Sequence, residues 1–268
     1  MPGAEKRPLR LAAALVFLLL ASQAASGLDG GEPFSERPVR LVADDWCPQH
    51  CESGTPHKGY IVDIVERALR LEKVPYVIEY RPWGRALAET QQGSFDGLLT
   101  PTVAEYPQFL FPREAVGYQE YCLYVRKDDP WKYARPEDLL GRRVAFLKDS
   151  GLGELEAFFE RNARRTPTQQ FSDGKGYTSR IFTFLARKRT DVVIITSDVY
   201  HFNLKSGIIA NNFRQAGCLG AERLAVGLSQ ANPERSKRLA VILDQGIRQL
   251  RQSGELKKIT DNYGIADW

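Results

Sequence analysis

The sequence predicts an α/β fold built from two units with a ligand cleft between them. Strand and helix patterns alternate from Pro38 to Thr100, which is typical of a parallel sheet with helices on its faces. A long β-rich segment, Gly117–Pro130, then leads into a second series of strands and helices. Because ligands of open α/β sheets bind at the carboxyl ends of strands, two such units joined by a long strand predict a cleft for a small ligand.

The first unit follows from hydrophobic periodicity. "VRLVAD" (Val39–Asp44), "YVIEY" (Tyr76–Tyr80) and "FDGLLT" (Phe95–Thr100) are short apolar stretches that predict strands. Between them, "YIVDIVERALRL" places its apolar residues on one face of a helix, and "WGRALAETQQG" predicts a second helix that ends at Gly93. The order is therefore βαβαβ.

The second unit begins after the long strand. "PEDLLG", "GELEAFFERNA" and "IFTFLARKR" predict helices, whereas "RRVAFLKDSG" predicts a strand that runs into a Ser-Gly turn. "DVVIITSD" (Asp191–Asp198) is a fully apolar strand, and another strand is predicted near Leu224–Leu228. A long terminal helix follows, with Asn232 as its N-cap and Pro233 at its first position, and "GELKKITDNYG" predicts a last short helix.

The N-terminal segment indicates export. Three basic residues precede the apolar run Leu11–Leu20, and small residues follow it, as in a cleaved secretory signal. The run is shorter than the ~20 residues needed to span a bilayer. We therefore expect residues 1–26 to be removed, with cleavage between Ala24 and Gly27, and the mature chain to reside in the periplasm.

Charge and length limit the partners. The formal net charge of +4 falls to about +2 without residues 1–26, and no stripe of Lys and Arg interleaved with aromatic residues is present. Nucleic acid is therefore not an expected partner. The remaining chain, about 240 residues, suffices for one large domain or two lobes.

The stretch "DDWCPQHC" raises the question of a metal site. It contains Cys47, His50 and Cys51, and His57 follows soon after. Zinc sites, however, use CxxC or a histidine pair on a helix, and redox sites use CxxC. In an exported protein a Cys47–Cys51 disulfide is favoured, which would fix the loop that carries Trp46. No metal and no cofactor are expected.

An ordered series of motifs resembles the type 2 periplasmic solute-binding protein family, of the polar amino-acid transporter kind (family 3-like). The motifs are "DDWCP", "GYIVDIVERAL", "RPWGRALAETQQGSFDGLLT", "TVAEYPQFLFP", "PEDLLGRRVAFLKDSG" and "SGELKKITDNYG", and together they cover essentially all of the mature chain. The resemblance implies a Venus-flytrap fold, with lobe one at 36–122 and 228–268 and lobe two at 123–227. It also implies a monomer that closes around a small polar solute and delivers it to the permease of an ABC transporter. Cys122 and Cys218 would lie near the hinge strands and, by parity, form the second disulfide.

The resemblance also implies ligand contacts in lobe one. Trp46 and Tyr60 would be aromatic walls, and Thr100 and Thr102 would offer hydroxyl groups. The alternative for the two rings is ordinary core packing. Arg85 is the best-placed cation if its helix faces the cleft, where it would pair with a carboxylate or phosphate. The alternative for Arg85 is a solvated helix arginine.

One departure from the family concerns the ligand. The arginine that holds the α-carboxylate in amino-acid binders is replaced by Tyr106, which donates a hydrogen bond without a charge. Either Arg85 compensates or the ligand is not an ordinary α-amino acid.

The contacts implied in lobe two lie at two strand ends. Ser150, Gly151 and Leu152 form a strand-to-helix turn whose N–H groups suit an anion, although an ordinary turn capped by Ser150 has the same pattern. Thr196 and Asp198 follow the apolar strand at the place where the family binds the ligand amine. Asp198 is equally interpretable as a helix N-cap.

Three other functions compete with solute delivery. A periplasmic enzyme on this fold, such as a dehydratase acting on a cyclic amino acid, needs a general acid or base, and Glu105 and Asp198 are the only carboxylates we nominate. A metal-binding protein would use Cys47, His50, Cys51 and His57. A stand-alone sensor would report the same ligand to a membrane partner.

Overall fold

A computed structural model describes residues 34–51, 57–148, 150–172, 176–265 and 268. The predicted signal segment, 1–26, lies outside these residues, so its cleavage stays a prediction. Among the described helices, none combines the length and apolar character that a membrane crossing requires.

The described residues form an alternating series of strands and helices. The strands are β1 (Val39–Ala43), β2 (Tyr76–Tyr80), β3 (Gly97–Leu98), β4 (Gly117–Arg126), β5 (Val144–Leu147), β6 (Thr168–Phe171), β7 (Val192–Thr196), β8 (Phe213–Leu224) and β9 (Gly227–Leu228). The helices are α1 (Tyr60–Leu71), α2 (Trp83–Gln91), α3 (Glu154–Asn162), α4 (Tyr177–Ala186), α5 (Ser197–Lys205), α6 (Pro233–Gln252) and α7 (Glu255–Tyr263), with a 3-10 turn at Pro136–Leu139.

The strands make two separate sheets. The first has the order β2-β1-β3-β9, with β1 parallel to β2 and β3, and β9 antiparallel to β3. The second has the order β6-β5-β7-β4-β8, in which β5, β6 and β7 run parallel and β4 is antiparallel to β7 and β8. The predicted two-lobed α/β architecture is confirmed. The second sheet begins at Gly117, the first residue of β4, and the chain leaves it at Leu224, the last residue of β8. The predicted lobe boundaries fall a few residues later than each of these positions, and they stay a prediction.

Helix α1 packs on helix α6 to form the core behind the first sheet. The predicted apolar face of α1 is fully buried: Ile61, Ile64, Val65, Ala68 and Leu69. The two helices approach closely because Gly246 lies opposite Ala68, where a Cβ would come within 2.7 Å of the Ala68 carbonyl oxygen. Asn232 caps α6 as predicted, since its side chain accepts a hydrogen bond from the Arg235 N–H.

A buried ion pair fixes the start of β3. The Asp96 carboxylate accepts two hydrogen bonds from the Arg235 guanidinium, at 2.8 and 3.2 Å, and further bonds from Arg37 and from the Arg40 backbone N–H. Arg235 is 2% exposed. The C-terminal helix α6 is thereby tied to the strand that precedes residues 100–106.

The second disulfide joins the two long antiparallel strands. Cys122 on β4 faces Cys218 on β8 in the strand register, and their sulfurs are bonded, which confirms the predicted pairing. Both strands belong to the second sheet; the chain enters it from the first sheet through β4 and returns through β8, so the crosslink joins the two segments that connect the lobes.

Several elements differ from the prediction, each for a local reason. The predicted strand 95–100 narrows to β3, because Asp96 turns to the ion pair and Thr100 leaves the extended region with φ 64°. Strand β6 is "TQQF", a mostly exposed edge with no apolar alternation to mark it. The strand predicted near Leu224–Leu228 is instead the long, partly exposed β8 followed by β9.

Candidate ligand-binding site

A cavity of about 320 Å³ is lined by residues from both sheets. The first sheet's side of the lining is Asp44, Trp46, Gln49, His50, Pro82, Trp83, Gly84, Thr100, Thr102, Glu105 and Tyr106; the other side is Gln119, Tyr121, Leu147, Lys148, Ser150, Gly151 and Ser172. Most of these residues follow the carboxyl end of a strand. The cavity therefore occupies the place where α/β folds bind small ligands.

A disulfide-closed turn forms one wall. Cys47 and Cys51 are bonded, as predicted, and the ring carries Trp46, Gln49 and His50 into the lining. The Trp46 N–H donates to the His50 carbonyl at 2.8 Å, which closes the turn further. Since both sulfurs are consumed in the bond, this turn lacks the thiolate ligands that the zinc alternative requires.

His50 links two other lining residues in one chain of hydrogen bonds. Its Nδ1 lies 2.6 Å from the Asp44 carbonyl oxygen and 3.3 Å from the Asp44 carboxylate, so Nδ1 carries the donating hydrogen. In the neutral ring Nε2 is then an acceptor, and it lies 2.7 Å from Thr100 Oγ1. The Thr100 hydroxyl therefore donates to His50 and keeps its lone pairs for another partner.

Thr100 holds an unusual backbone conformation. Its φ of 64° lies in the left-handed region, which is costly for a β-branched side chain. Such conformations persist only where the surroundings enforce them, and they concentrate at functional sites. The bond to His50 is one such constraint, because it sets the direction of the side chain.

Trp46 bridges the two lobes. It is 8% exposed and stacks on Tyr177 of helix α4, with ring centroids 5.4 Å apart. Its indole Nε1–H has no hydrogen-bond partner among the described residues. A buried donor without a partner is costly, and a ligand acceptor in the cavity would relieve that cost.

A second group of lining residues from the same lobe is aromatic and acidic. Trp83 Nε1 donates to Tyr106 Oη at 3.3 Å, and the two rings meet edge to face. Thr102 Oγ1 donates to the Glu105 carboxylate at 3.2 Å. Burial raises the pKa of Glu105 above its usual value, although hydrogen bonds from Tyr106 and Thr102 oppose the shift. Glu105 also reaches across to Gly151 of the other lobe.

The predicted strand-to-helix turn contributes two of its three residues. Ser150 and Gly151 line the cavity, and the Ser150 hydroxyl donates to the Leu147 carbonyl at 2.7 Å. Leu152 is buried outside the lining, and its N–H already donates to Glu156 at 3.2 Å. That amide is therefore engaged within the protein.

Besides Leu152, four predicted contacts lie away from the cavity lining: Arg85, Tyr60, Thr196 and Asp198. Arg85 points to solvent, with a side chain 66% exposed and a 2.6 Å bond to Glu89. Tyr60 is buried in the core below the site, and burial raises its pKa. Thr196 is fully buried at the start of helix α5.

Asp198 joins the lobes rather than lining the cavity. Its Oδ2 accepts a hydrogen bond from Gln49 Nε2 at 3.0 Å and lies 3.5 Å from Tyr60 Oη. Its Oδ1 accepts from the Val199 N–H at 2.7 Å in the first turn of α5, and the N-cap of that helix is Thr196, two positions earlier, not Asp198. The carboxylate that the resemblance assigns to a ligand amine is thus engaged by Gln49.

Sequence reasoning did not nominate several lining residues as ligand contacts. They are Asp44, Gln49, His50, Gln119, Tyr121, Lys148 and Ser172. Asp44 and Lys148 each come directly after a predicted strand, so position alone would have found them, whereas Ser172 follows β6, which the sequence did not mark. Gln119 and Tyr121 lie inside β4, where the sequence gives no sign that the strand passes the cleft.

The described residues have a two-lobed α/β fold with a cleft, which is the fold of periplasmic binding proteins. No family model matches the chain, and no curated protein does. The chain is similar to solved structures, at 17–19% identity for the three described next, and a likeness at this level establishes the fold alone.

Three of these structures carry different functions. One is the amino-acid ABC transporter substrate-binding protein AbpA from Streptococcus pneumoniae bound to L-arginine, at 19% identity and TM-score 0.66, over 85% of this chain and 95% of that chain. A second is a histidine kinase sensor domain with similarity to periplasmic binding proteins, at 19% identity and TM-score 0.68, over 87% and 98%. A third is the ancestral amino acid-binding protein AncCDT-1, a precursor of cyclohexadienyl dehydratase, at 17% identity and TM-score 0.65, over 85% and 96%.

Substitution of Gly151 by alanine should weaken ligand binding without unfolding the protein. The new Cβ would overlap the Glu105 carboxylate, which is the end of a flexible side chain and has room to move. Either Glu105 is displaced or the lobes stay apart. We expect ligand affinity to fall at least tenfold while the melting temperature of the free protein stays within about 2 °C. Gly220→Ala is the matched control, because a Cβ there meets nothing within 4 Å and Gly220 is not among the residues that line the cavity.

Proposed function

We propose that the chain is an exported binding protein that captures a small polar solute between its lobes. The observation that carries this proposal is the cavity itself, because its walls come from both sheets and its size suits a metabolite. The Trp46–Tyr177 stack and the Gln49–Asp198 bond join the lobes beside it. Two-lobed binding proteins close in this way around a ligand.

The next step in the proposal is delivery to the permease of an ABC transporter from the periplasm, by a monomer. AbpA, a substrate-binding protein of such a transporter, has the same fold and binds L-arginine. The sensor alternative retains support from the histidine kinase sensor domain, which shares the fold. Deletion of the gene distinguishes transport from sensing. If the protein serves a transporter, uptake of the labelled solute is lost. If it is a sensor, uptake continues and only the cellular response to the solute is lost.

An enzyme is the second candidate, since one observation favours it. Glu105 is a cavity carboxylate whose pKa is raised by burial, as a general acid requires. Asp198, the other nominated carboxylate, is engaged by Gln49 outside the lining. We favour binding without turnover, and recovery of the ligand chemically unchanged after long incubation tests this choice.

A thermal-shift screen of amino acids, amines, organic acids and sugars tests the binding function. A ligand at 100 times its Kd should raise the melting temperature by roughly 5–10 °C for a chain of this size. Trp46→Ala should abolish the shift, because it removes an aromatic wall and the unpaired donor. If no compound class shifts the wild-type protein, the proposal is wrong.

A further inference from the structure

We propose that this cleft selects its ligand through a cationic group, an ammonium or guanidinium, held by Asp44, Glu105 and Thr100 against aromatic walls. This inference rests on the proposed binding function and names the ligand class. It differs from the usual expectation for the family, in which an arginine of the protein grips the carboxylate of the ligand.

The charges of the lining favour a cation. Asp44 and Glu105 contribute two carboxylates, Lys148 contributes one ammonium, and no arginine is among the described residues that line the cavity. Lys148 and Glu105 are both exposed, whereas the Asp44 side chain is only 17% exposed, so the least solvated charge of the lining is negative. Since a buried charge interacts more strongly than one in water, the inner part of the cavity is negative in net effect.

The neutral polar groups add acceptors. The Thr100 hydroxyl donates its hydrogen to His50, so toward the cavity it can only accept. The acceptor atoms of Asp44, Thr100 and Glu105 match a group that has several N–H donors and no acceptor, as an ammonium or guanidinium does.

The walls suit the same ligand. Trp46, Trp83, Tyr106 and Tyr121 all line the cavity. Aromatic faces attract cations, and tryptophan does so most strongly.

Few residues of the lining could bind a carboxylate of the ligand. Arg85 is paired with Glu89 outside the cavity, and Tyr106 brings no charge. Lys148 and the Ser150–Gly151 turn are the remaining candidates, on the other lobe. A carboxylate on the ligand is therefore compatible with binding when a cation is also present.

The affinity for cations should fall in acid. Burial raises the pKa of Glu105 above its ordinary value, so Glu105 takes up a proton at a higher pH than a free glutamate does. Protonation removes one of the two carboxylates. We expect cation affinity to be full above this raised pKa and to decline as the pH falls through it, with no such decline in Glu105→Gln.

Calorimetry with four straight-chain compounds tests the proposal. The probes are 1,5-diaminopentane, L-lysine, 1,5-pentanediol and hexanedioate, which span charges from dication to dianion. We expect the two cations to bind at least tenfold more tightly than the other two. Glu105→Gln should weaken binding of the cations roughly 10- to 100-fold. Glu89→Gln is the control and should leave affinity unchanged, because Glu89 pairs with Arg85 outside the cavity.

Each other outcome overturns the inference. Binding of 1,5-pentanediol or hexanedioate as tight as that of the cations would do so, and so would cation binding that Glu105→Gln leaves intact. If the thermal-shift screen finds an anionic or uncharged ligand instead, the binding function stands and the charge selectivity is wrong. If neither the screen nor the four probes show binding, both proposals fail.

Discussion

Replacement of Asp96 by asparagine should lower the free energy of unfolding by about 3–5 kcal/mol, because it leaves the buried Arg235 charge without its carboxylate. The same carboxylate also serves Arg37 and the Arg40 backbone. Urea unfolding at neutral pH measures the loss. Asp261→Asn is the matched control, since its pair with Lys257 is exposed and should contribute less than about 1 kcal/mol.

The same ion pair predicts a dependence of stability on pH. Burial disfavours ionisation of Asp96, but its bonds from Arg235, Arg40 and Arg37 outweigh that effect and hold its pKa below the usual 3.8. A lowered pKa in the folded state contributes stability that is present above 3.8 and is lost as the pH falls through the folded value. Wild-type protein should therefore lose more stability than Asp96→Asn on acidification below pH 3.8. Equal acid sensitivity of the two would contradict this assignment.

Removal of the Cys122–Cys218 disulfide should have the second large effect. The crosslink spans 96 residues of sequence, so in the chain-entropy model it stabilises the fold by about 4–5 kcal/mol. The double variant Cys122→Ala/Cys218→Ala tests this by urea unfolding under non-reducing conditions.

The other disulfide is the internal control for that measurement. Cys47 and Cys51 are only four positions apart, so the variant Cys47→Ala/Cys51→Ala should lose about 2 kcal/mol or less. Its larger effect should be on ligand affinity, because the ring places Trp46 and His50 in the cavity wall. A greater stability loss from the small ring than from the large one would contradict this division of roles.

Much of the fold was predictable because its signals are local. The buried stripe of α1, the Asn232 cap and the apolar strand β7 each follow from neighbouring residues. Strand β8 was missed because it is Gly-containing and partly exposed, and its pairing with β4 is a contact across a long stretch of sequence. The Asp96–Arg235 pair, 139 positions apart, has no local signal at all.

The site was predictable only in part. Six predicted contacts line the cavity: Trp46, Thr100, Thr102, Tyr106, Ser150 and Gly151. The sequence did not predict that the cleft is acidic. Glu105 lines it only because the loop after β3 folds toward the cavity, and no local pattern predicts that. The sequence also did not reveal that Arg85 points away from the cavity, because only the orientation of helix α2 decides which of its side chains face the cleft.

Hydrogen exchange with and without the best ligand of the screen is the most direct test of the cleft. The ligand should slow exchange in segments of both lobes at once, at 44–50 and 100–106 on one side and at 147–152 on the other. Closure by contact with both walls predicts this pattern, and Gly151→Ala should reduce it. Protection confined to one lobe, or found away from these segments, would contradict binding between the lobes.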